Sequence, residues 1–450
     1  MLSKNKRTET MTEVITITGL SHGPAAVGRS RSGKVIFVPY ACPGDSVEVD
    51  IVKESKSFCE GIVRSIVSKS PNRIKPACPF FEQCGGCSWM HISYDMQLKA
   101  KRDDVVNQLS RIGGVSREKA EQLVEGCRPS KKTLGYRNKL ELASGFDKHG
   151  NFQVGFHQVG SSTIATPKSC PLAAAGIEKA PKALRGALSY LQGKTDLGIY
   201  RIGIRRSVRT KHTEIALWTP PQAFPRKIAV DTLSSALKNT SIVRVLADPG
   251  KARKVKKVEV LSGNGFWEEK LAGHRFMVSA PSFFQVNTPQ AEAMIQEAVH
   301  ELNLSQHSAA ADLYCGVGSF TLPLAEACEA VFAVEAASSA VKDLRRNAQI
   351  NNVTNVEVIG GDSAHELKEL GSLDALIVDP PRSGLAESTP KTIAKVAPNR
   401  LVYVSCNPST WARDIARLAS EGYVLKKAIP YDLFPQTYHV ETLSILERTN

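Results

Sequence analysis

Between residues 309 and 404 a short apolar run recurs: AAADLY (309–314), AVFAVE (330–335), VEVI (356–359), ALIV (375–378) and LVYV (401–404). Stretches of helical period lie between most of them. Apolar runs of this length suit strands buried on both faces, and intervening helices make the sheet parallel, with crossovers packed on either side. The pattern predicts an α/β, Rossmann-like, doubly wound sheet. In such sheets ligands gather at the carboxyl ends of the strands. The residues that end each run therefore carry the functional argument.

The first run leads into CGVGSF (315–320), a tight glycine turn before a helix. It contains G-x-G but lacks the third glycine of a dinucleotide fingerprint, so alone it is a weak signal. Glu335 closes the second run about 20 residues on, where a carboxylate accepts hydrogen bonds from ribose hydroxyls. Asp362 follows the third run, placed to read an adenine amino group, and Asp379 follows the fourth. Each acid alone reads as a helix cap or a solvated loop group. Taken in order, they predict a nucleoside cofactor without a pyrophosphate. S-adenosylmethionine has that shape, with its aminoacyl tail near the glycine turn and the helix start.

The fifth run ends at Cys406, in LVYVSCNP (401–408). A buried structural thiol is the plain reading. The loop DPPR (379–382) bears on it. Methylases of exocyclic amines typically have an aromatic as the fourth residue, and RNA cytosine carbon-5 methylases typically have a cysteine in this loop. Here the fourth residue is Arg382 and the cysteine is absent. Cys406 is the available nucleophile. Carbon-5 of uracil becomes nucleophilic only after a thiolate adds to carbon-6, and the carbon-5 proton must then be removed. That chemistry needs one Cys and one base. Glu441, an acid inside the strand-like run VETL (440–443), is the candidate base, with His439 as the alternative.

Upstream, residues 1–10 read as a polar tail. Residues 10–68 are short alternating runs broken by Gly, Pro and Asp, which predict a small all-β, OB-like barrel of about five strands. A polar linker (68–76) leads to Cys78, Cys84 and Cys87, spaced C-x5-C-x2-C around paired glycines. Three clustered thiols want a fourth ligand. Cys170 is the first candidate and Cys127 the second, and the spacing accepts zinc or an iron–sulfur cluster. Residues 89–112 read as mostly helical. Residues 75–280 read as a central α+β region. Its basic runs at 201–211 and 251–257 are candidates to line a groove for phosphates, with Phe152 and Phe156 as base-stacking or core residues.

A formal net charge of +14 favours a polyanionic partner. With 42% hydrophobic and 23% charged residues the chain is not a disordered one. No apolar run approaches the roughly 20 residues of a membrane span, and no secretory signal is visible, so a cytoplasmic protein without a membrane partner is expected.

The stretches SFFQVN, DLYCGVGSF, VEA, DPPRSG, VYVSCNP and HVETLSIL resemble the RNA uracil-5-methyltransferase family. The N-terminal barrel resembles a TRAM domain, an RNA-binding module. The resemblance implies a TRAM-like barrel over 10–68, a central α+β region over 75–280 and an S-adenosylmethionine-dependent methyltransferase domain over 281–450. It implies Cys406 as nucleophile and Glu441 as proton acceptor. It also implies Gln285, Tyr314, Glu335, Asp362 and Asp379 as contacts of S-adenosylmethionine. Ser319 joins them, at a position where some members carry Asn. Cys78, Cys84, Cys87 and Cys170 are similar to the family's [4Fe–4S] site. The combination of barrel, cysteines and methylase looks most like the 23S rRNA branch, with no obligate protein partner. The alternatives are the same chemistry on a tRNA uridine and a non-catalytic RNA-binding assembly factor.

Overall fold

Two-residue alternation closes the first strands into a barrel. In the computed structural model, which describes residues 11–193, 195–250 and 254–449, these are β1 (Thr12–Leu20), β2 (Ala26–Arg29), β3 (Val35–Val38), β4 (Ser46–Glu54) and β5 (Phe58–Ser68). They join in the order β1-β2-β3-β5-β4 around Ile15, Ile17, Ile36, Val38, Val47 and Val49. Gly61 is required inside, because a Cβ there would lie 2.3 Å from Val49 Cγ1. The polar tail and residues 251–253 of the second basic run lie outside the described residues.

Helix α1 (Tyr94–Arg111) starts later than its hydrophobic period suggests. Residues 89–92 form a turn instead, where the Trp89 indole donates to the Pro24 carbonyl at 3.3 Å. Helix α2 (Arg117–Leu123) follows.

The central region is a seven-stranded sheet of β6 (Lys139–Phe146), β7 (Phe152–His157), β8 (Ile164–Ala165), β9 (Arg201–Arg206), β10 (Thr213–Thr219), β11 (Ser241–Leu246) and β12 (Lys257–Ser262). Its order is β12-β11-β10-β9-β6-β7-β8. Helices α3 (Ala180–Gln192) and α4 (Arg226–Ala236) bury Leu184, Leu188 and Leu233 against one face. Half-buried Phe152 and Phe156 pack against this same core, the core alternative offered for them. The basic run on β9 is likewise partly structural. Buried Arg205 donates to the carbonyls of Ser279, Ala280 and Ser282, fastening the sheet to the chain that enters the last third. Arg201 stacks on the Trp218 ring and pairs with Glu141.

A hairpin, β13 (Trp267–Leu271) and β14 (His274–Val278), leads into the last third, followed by α5 (Thr288–Glu301). The expected parallel sheet is present: β15 (Ala309–Leu313), β16 (Ala330–Glu335), β17 (Val356–Gly360), β18 (Ala375–Val378) and β19 (Arg400–Ser405). Two further strands, β20 (Tyr423–Tyr431) and β21 (Glu441–Arg448), complete the order β17-β16-β15-β18-β19-β21-β20. β21 inserts antiparallel between β19 and β20. Helices α5, α6 (Thr321–Ala327) and α7 (Ser338–Ile350) bury Met294, Leu322 and Leu344 with the hairpin on one face. The other face takes α9 (Thr389–Val396) and α10 (Pro408–Ser420), together with α1. A short α8 (Ser363–Glu366) follows β17. Thus α1, far upstream in sequence, forms part of this last sheet's core through Val105, Val106 and Leu109. Lys101 on the same helix is fully buried against Asp432 at 2.5 Å. Among the described residues no helix is long and apolar enough to cross a membrane.

The barrel meets the helices that cover the last sheet through an apolar cluster joining Leu20 and Cys42 to Met96 and Ala100 of α1, and through His22. His22 Nδ1 lies 2.8 Å from Asp104 Oδ2 on α1, and its Nε2 lies 3.0 Å from Ser409 Oγ on α10. The hydrogen bond that His22 donates to Asp104 raises the His22 pKa above its ordinary value, against partial burial. The stabilisation is therefore full below about pH 6.5 and is lost as pH rises through the raised value. His22→Ala should lower the melting temperature at pH 6 and have a smaller effect at pH 9. Equal losses at both pH values in thermal unfolding would exclude a charged clasp.

Candidate active site

The parallel strand order reverses between β15 and β18, and the crevice opens where their carboxyl ends part. Tyr314 leaves β15 with φ at 62°, an uncommon conformation for a residue with a side chain, which bends the chain into the glycine turn. Gly318 has φ at 94°, and a Cβ there would stand 2.3 Å from Leu344 Cδ1. The turn is fixed from outside by Asn347, whose Nδ2 donates to the Val317 carbonyl at 3.0 Å. Ser319 sits half-buried at its end.

Glu335, at the tip of β16, grips this turn. Its Oε2 accepts the Gly316 N–H at 2.9 Å and its Oε1 accepts the Ala337 N–H at 2.7 Å. Each carboxylate oxygen retains a second lone pair for a ligand hydroxyl. Asp362 is exposed, and its Oδ1 caps α8 by accepting from Ala364 and His365 at 3.1 Å each. The cap role weighed for a lone acid is thus present at this position. Gln285 follows exposed Phe283 (67% exposed) and buried Phe284 (4% exposed). Its backbone carbonyl is held by Asn138 Nδ2 at 2.9 Å, while its buried side-chain Oε1 has no partner. The orphaned buried acceptor of Gln285 and the remaining lone pairs of Glu335 fit a polar ligand such as S-adenosylmethionine.

Beyond the crevice stand Asp379, Cys406 and Glu441. β19 and β21 pair with Ser405 opposite Thr442. One step further along that register, Cys406 faces Glu441. Asp379 follows β18, which pairs with β19 through Val378 and Tyr403. Cys406 is held between Ser405 and Asn407, which caps α10 by accepting the Ser409 N–H at 3.1 Å. Asn407 Nδ2 also donates to the Arg382 carbonyl at 3.2 Å, which ties the DPPR loop to the cysteine.

The electrostatics of this group are those of a dry site. Burial pushes the Cys406 thiol up to about 12, and the Glu441 and Asp379 carboxyls add to the shift. Burial, with Asp379 adding, pushes Glu441 well above the usual carboxylate range. Asp379 itself is pushed up to about 7 by burial. Arg382 opposes these shifts. Its guanidinium, on the loop beside Cys406, lowers both that thiol and Glu441. His439 is pushed down to about 4 by burial and by Arg382, Lys101 and Arg137. So basic an environment makes His439 a poor proton acceptor at neutral pH and favours Glu441.

Two residues went unused in the sequence reading. Arg382 entered only as a missing aromatic. Asp312 passed unnoticed inside an apolar run, where a charge is itself a signal. It is fully buried, accepts from Thr321 Oγ1 at 2.6 Å and leaves Oδ1 without a partner. Burial first, then nearby Asp379 and Glu335, push it up to about 7.

The four expected cysteines converge elsewhere. Cys78, Cys87 and Cys170 pack around Met90, Tyr136 and Leu172. Cys84 is close enough to Cys78 and Cys170 for their charges to raise its thiol, after burial. Backbone N–H groups of Leu172 and Ala173 act on the Cys170 sulfur, and that of Gly86 on Cys84. Cys127 lies apart, beside Asp432 and Lys101. Among the described residues no group of three or more His, Cys, Asp or Glu side chains is arranged to hold a metal ion. Yet the Arg137 guanidinium faces the thiols with its Nε buried and unpartnered, which fits an anionic centre there.

Residues 250–449 match the family described as tRNA (Uracil-5-)-methyltransferase, and residues 6–63 match the TRAM domain. An uncharacterized RNA methyltransferase of Gloeobacter violaceus is 34% identical over 447 residues, covering 97% of each chain. One of Halalkalibacterium halodurans is 31% identical over 449 residues, again covering 97% of each. Among solved structures, the tRNA (uracil-54, C5)-methyltransferase of Pyrococcus abyssi in complex with S-adenosyl-L-homocysteine is 26% identical, with a TM-score of 0.73. That likeness covers 96% of this chain and 99% of the other.

Gly318→Ala should cost at least about 1–2 kcal/mol in left-handed strain alone, before the clash with Leu344. Isothermal titration should show S-adenosylhomocysteine binding about tenfold weaker or more. Unchanged affinity would mean that the turn does not cradle the ligand.

Proposed function

The chain belongs to the tRNA (uracil-5-)-methyltransferase family and is an S-adenosylmethionine-dependent RNA methyltransferase; from that premise we propose that it methylates carbon-5 of a uridine in 23S rRNA through a covalent Cys406 adduct. The observation that carries the reading is the register of β19 and β21, which sets Cys406 across from Glu441 beside Asp379 and Arg382. S-adenosylmethionine in the crevice supplies the methyl group. Glu335, Gln285, Tyr314, Ser319, Asp362 and Asp379 are its proposed contacts.

The steps follow from this chain's own groups. Arg382 favours the Cys406 thiolate by placing a cation against the sulfur. The thiolate forms a bond to carbon-6, and the electron pair moves onto the carbon-5/oxygen-4 enolate. Carbon-5 takes the methyl group from the sulfonium. Glu441, in its ionised form, then removes the carbon-5 proton, the S–C6 bond breaks, and the thiolate leaves. A buried, partly desolvated carboxylate has the raised basicity that such a proton transfer requires. Exposed Phe283, beside Gln285, offers a stacking face for a base of the bound RNA.

We also propose that Cys78, Cys84, Cys87 and Cys170 hold a [4Fe–4S] cluster. Its support is the convergence of four thiols around one unpartnered guanidinium. The cluster would brace the fold, and no chemical step is routed through it.

A tRNA uridine is the second reading, favoured by the printed name of the Pyrococcus abyssi enzyme, whose fold runs the length of this chain. Mapping 5-methyluridine in rRNA and tRNA of a deletion strain separates the two. Loss of the mark from 23S rRNA is expected, and loss from tRNA alone would transfer the substrate. Cys406→Ala should lower methyl transfer by about 1,000-fold or more, and undiminished turnover would exclude the covalent route. Glu441→Gln should accumulate a denaturant-resistant protein–RNA adduct, and normal product release would remove Glu441 from its role. An anaerobic preparation should contain iron and sulfide, and stoichiometric zinc without iron would refute the cluster.

A further inference from the structure

Glu441 begins β21, and the loop that delivers it, residues 432–440, is shaped almost wholly by other parts of the chain. Its centre is Gln436, which has φ at 71° and is 6% exposed. The Gln436 carbonyl accepts the N–H groups of Ser88 and Trp89 at 3.1 and 3.0 Å. Ser88 directly follows Cys87, the last thiol of the C-x5-C-x2-C run. The Gln436 N–H donates to Gln97 Oε1 at 2.9 Å, and its Oε1 accepts from Gln97 Nε2 at 3.1 Å. Its own Nε2 reaches the Thr133 carbonyl at 3.5 Å. Next to it, the Pro435 carbonyl accepts the Tyr136 hydroxyl at 3.1 Å. Tyr136 belongs to the same apolar cluster as Cys78, Cys87 and Cys170.

A left-handed glutamine is strained and persists only where its surroundings over-determine it. Here the cysteine segment, α1 and the strand approach at Thr133 do so together. Cys406 is held differently, at the end of β19 by Asn407 and the DPPR loop. The two groups share the β19–β21 pairing, but the loop that leads into Glu441 has supports of its own that Cys406 does not share.

We infer that Gln436 is a positioning residue through which the four-cysteine segment sets the place of the Glu441 carboxyl, so that this segment governs removal of the carbon-5 proton and not capture of the RNA. The inference rests on the uracil-methylation reading. If the loop relaxes, the thiolate still forms its bond to carbon-6 and carbon-5 still takes the methyl group. The carbon-5 proton then has no base within reach, so the S–C6 bond cannot break by elimination and the adduct accumulates.

The test uses the full chain with its RNA substrate. Gln436→Asn keeps the tolerance for left-handed backbone and the amide but shortens the reach to Gln97 and Thr133. Tyr136→Phe removes only the hydroxyl bond to Pro435 and keeps the packing, so it remains informative if the first variant is unstable. The readouts are the rate of 5-methyluridine release, the fraction of RNA in a denaturant-resistant adduct, and KM for RNA. For Gln436→Asn, release should fall about 10- to 100-fold, since a misplacement of about 1 Å costs on that order. The adduct fraction should rise above wild type, with KM changed by less than about twofold. Tyr136→Phe should shift both in the same sense and less. Adduct and release falling together would show a structural role only and overturn the inference, as would wild-type values in both variants. A wild-type chain that forms neither adduct nor 5-methyluridine removes the uracil reading itself, a separate result.

Discussion

The antiparallel insertion of β21 between β19 and β20 is the constraint on which the site depends. A purely parallel sheet would end every strand at the crevice and bring no strand start there. One reversed strand lets an N-terminal strand residue, Glu441, meet a C-terminal one, Cys406, at the same edge. Register does the rest, because a slip of one residue would turn the glutamate to the opposite face. The pairing is secured away from the chemistry. Trp411 on α10 is fully buried and donates to Ser444 Oγ at 2.8 Å, which locks the helix after Cys406 to the strand after Glu441.

Around that pairing, burial sets the charge states. Three carboxyl groups, those of Asp312, Asp379 and Glu441, are all shifted upward with desolvation as the first cause. Carboxyls so placed cannot all ionise without mutual repulsion. A cationic sulfonium or the Arg382 guanidinium offsets that repulsion, so the site is electrostatically suited to a positively charged methyl donor. Burial, with the cations Arg382, Lys101 and Arg137, lowers His439 to about 4, and Arg382 also lowers the Cys406 thiol against its burial.

The α/β class, the order of strand-end residues and the barrel were legible because they rest on local periodicity and turn chemistry. Glu335 at its strand tip and Cys406 at the lip of its strand stand where the pattern put them. What the pattern could not carry was burial by distant partners. Arg205 belongs to a basic run, yet it is spent on three backbone carbonyls. Phe152 and Phe156 face a core built by helices more than 20 residues away. Arg382 was visible, but its nearness to the thiol arises only once β18 and β19 lie side by side. Asp362 shows the opposite case, where the local capping role weighed for a lone acid is the one its Oδ1 performs.

Helix α1 bears on the order in which the chain can be assembled. Its inner face is completed by strands translated long after it, and Lys101 finds its carboxylate partner 331 residues downstream. An ammonium buried without that partner is strongly unfavourable. During synthesis the helix therefore cannot dock finally until Asp432 has emerged, and contacts of such long range slow folding. The closing strands of the catalytic sheet act as a late checkpoint. Only a chain translated past Asp432 can settle the helix beneath the sheet, and with it the loop that delivers Glu441.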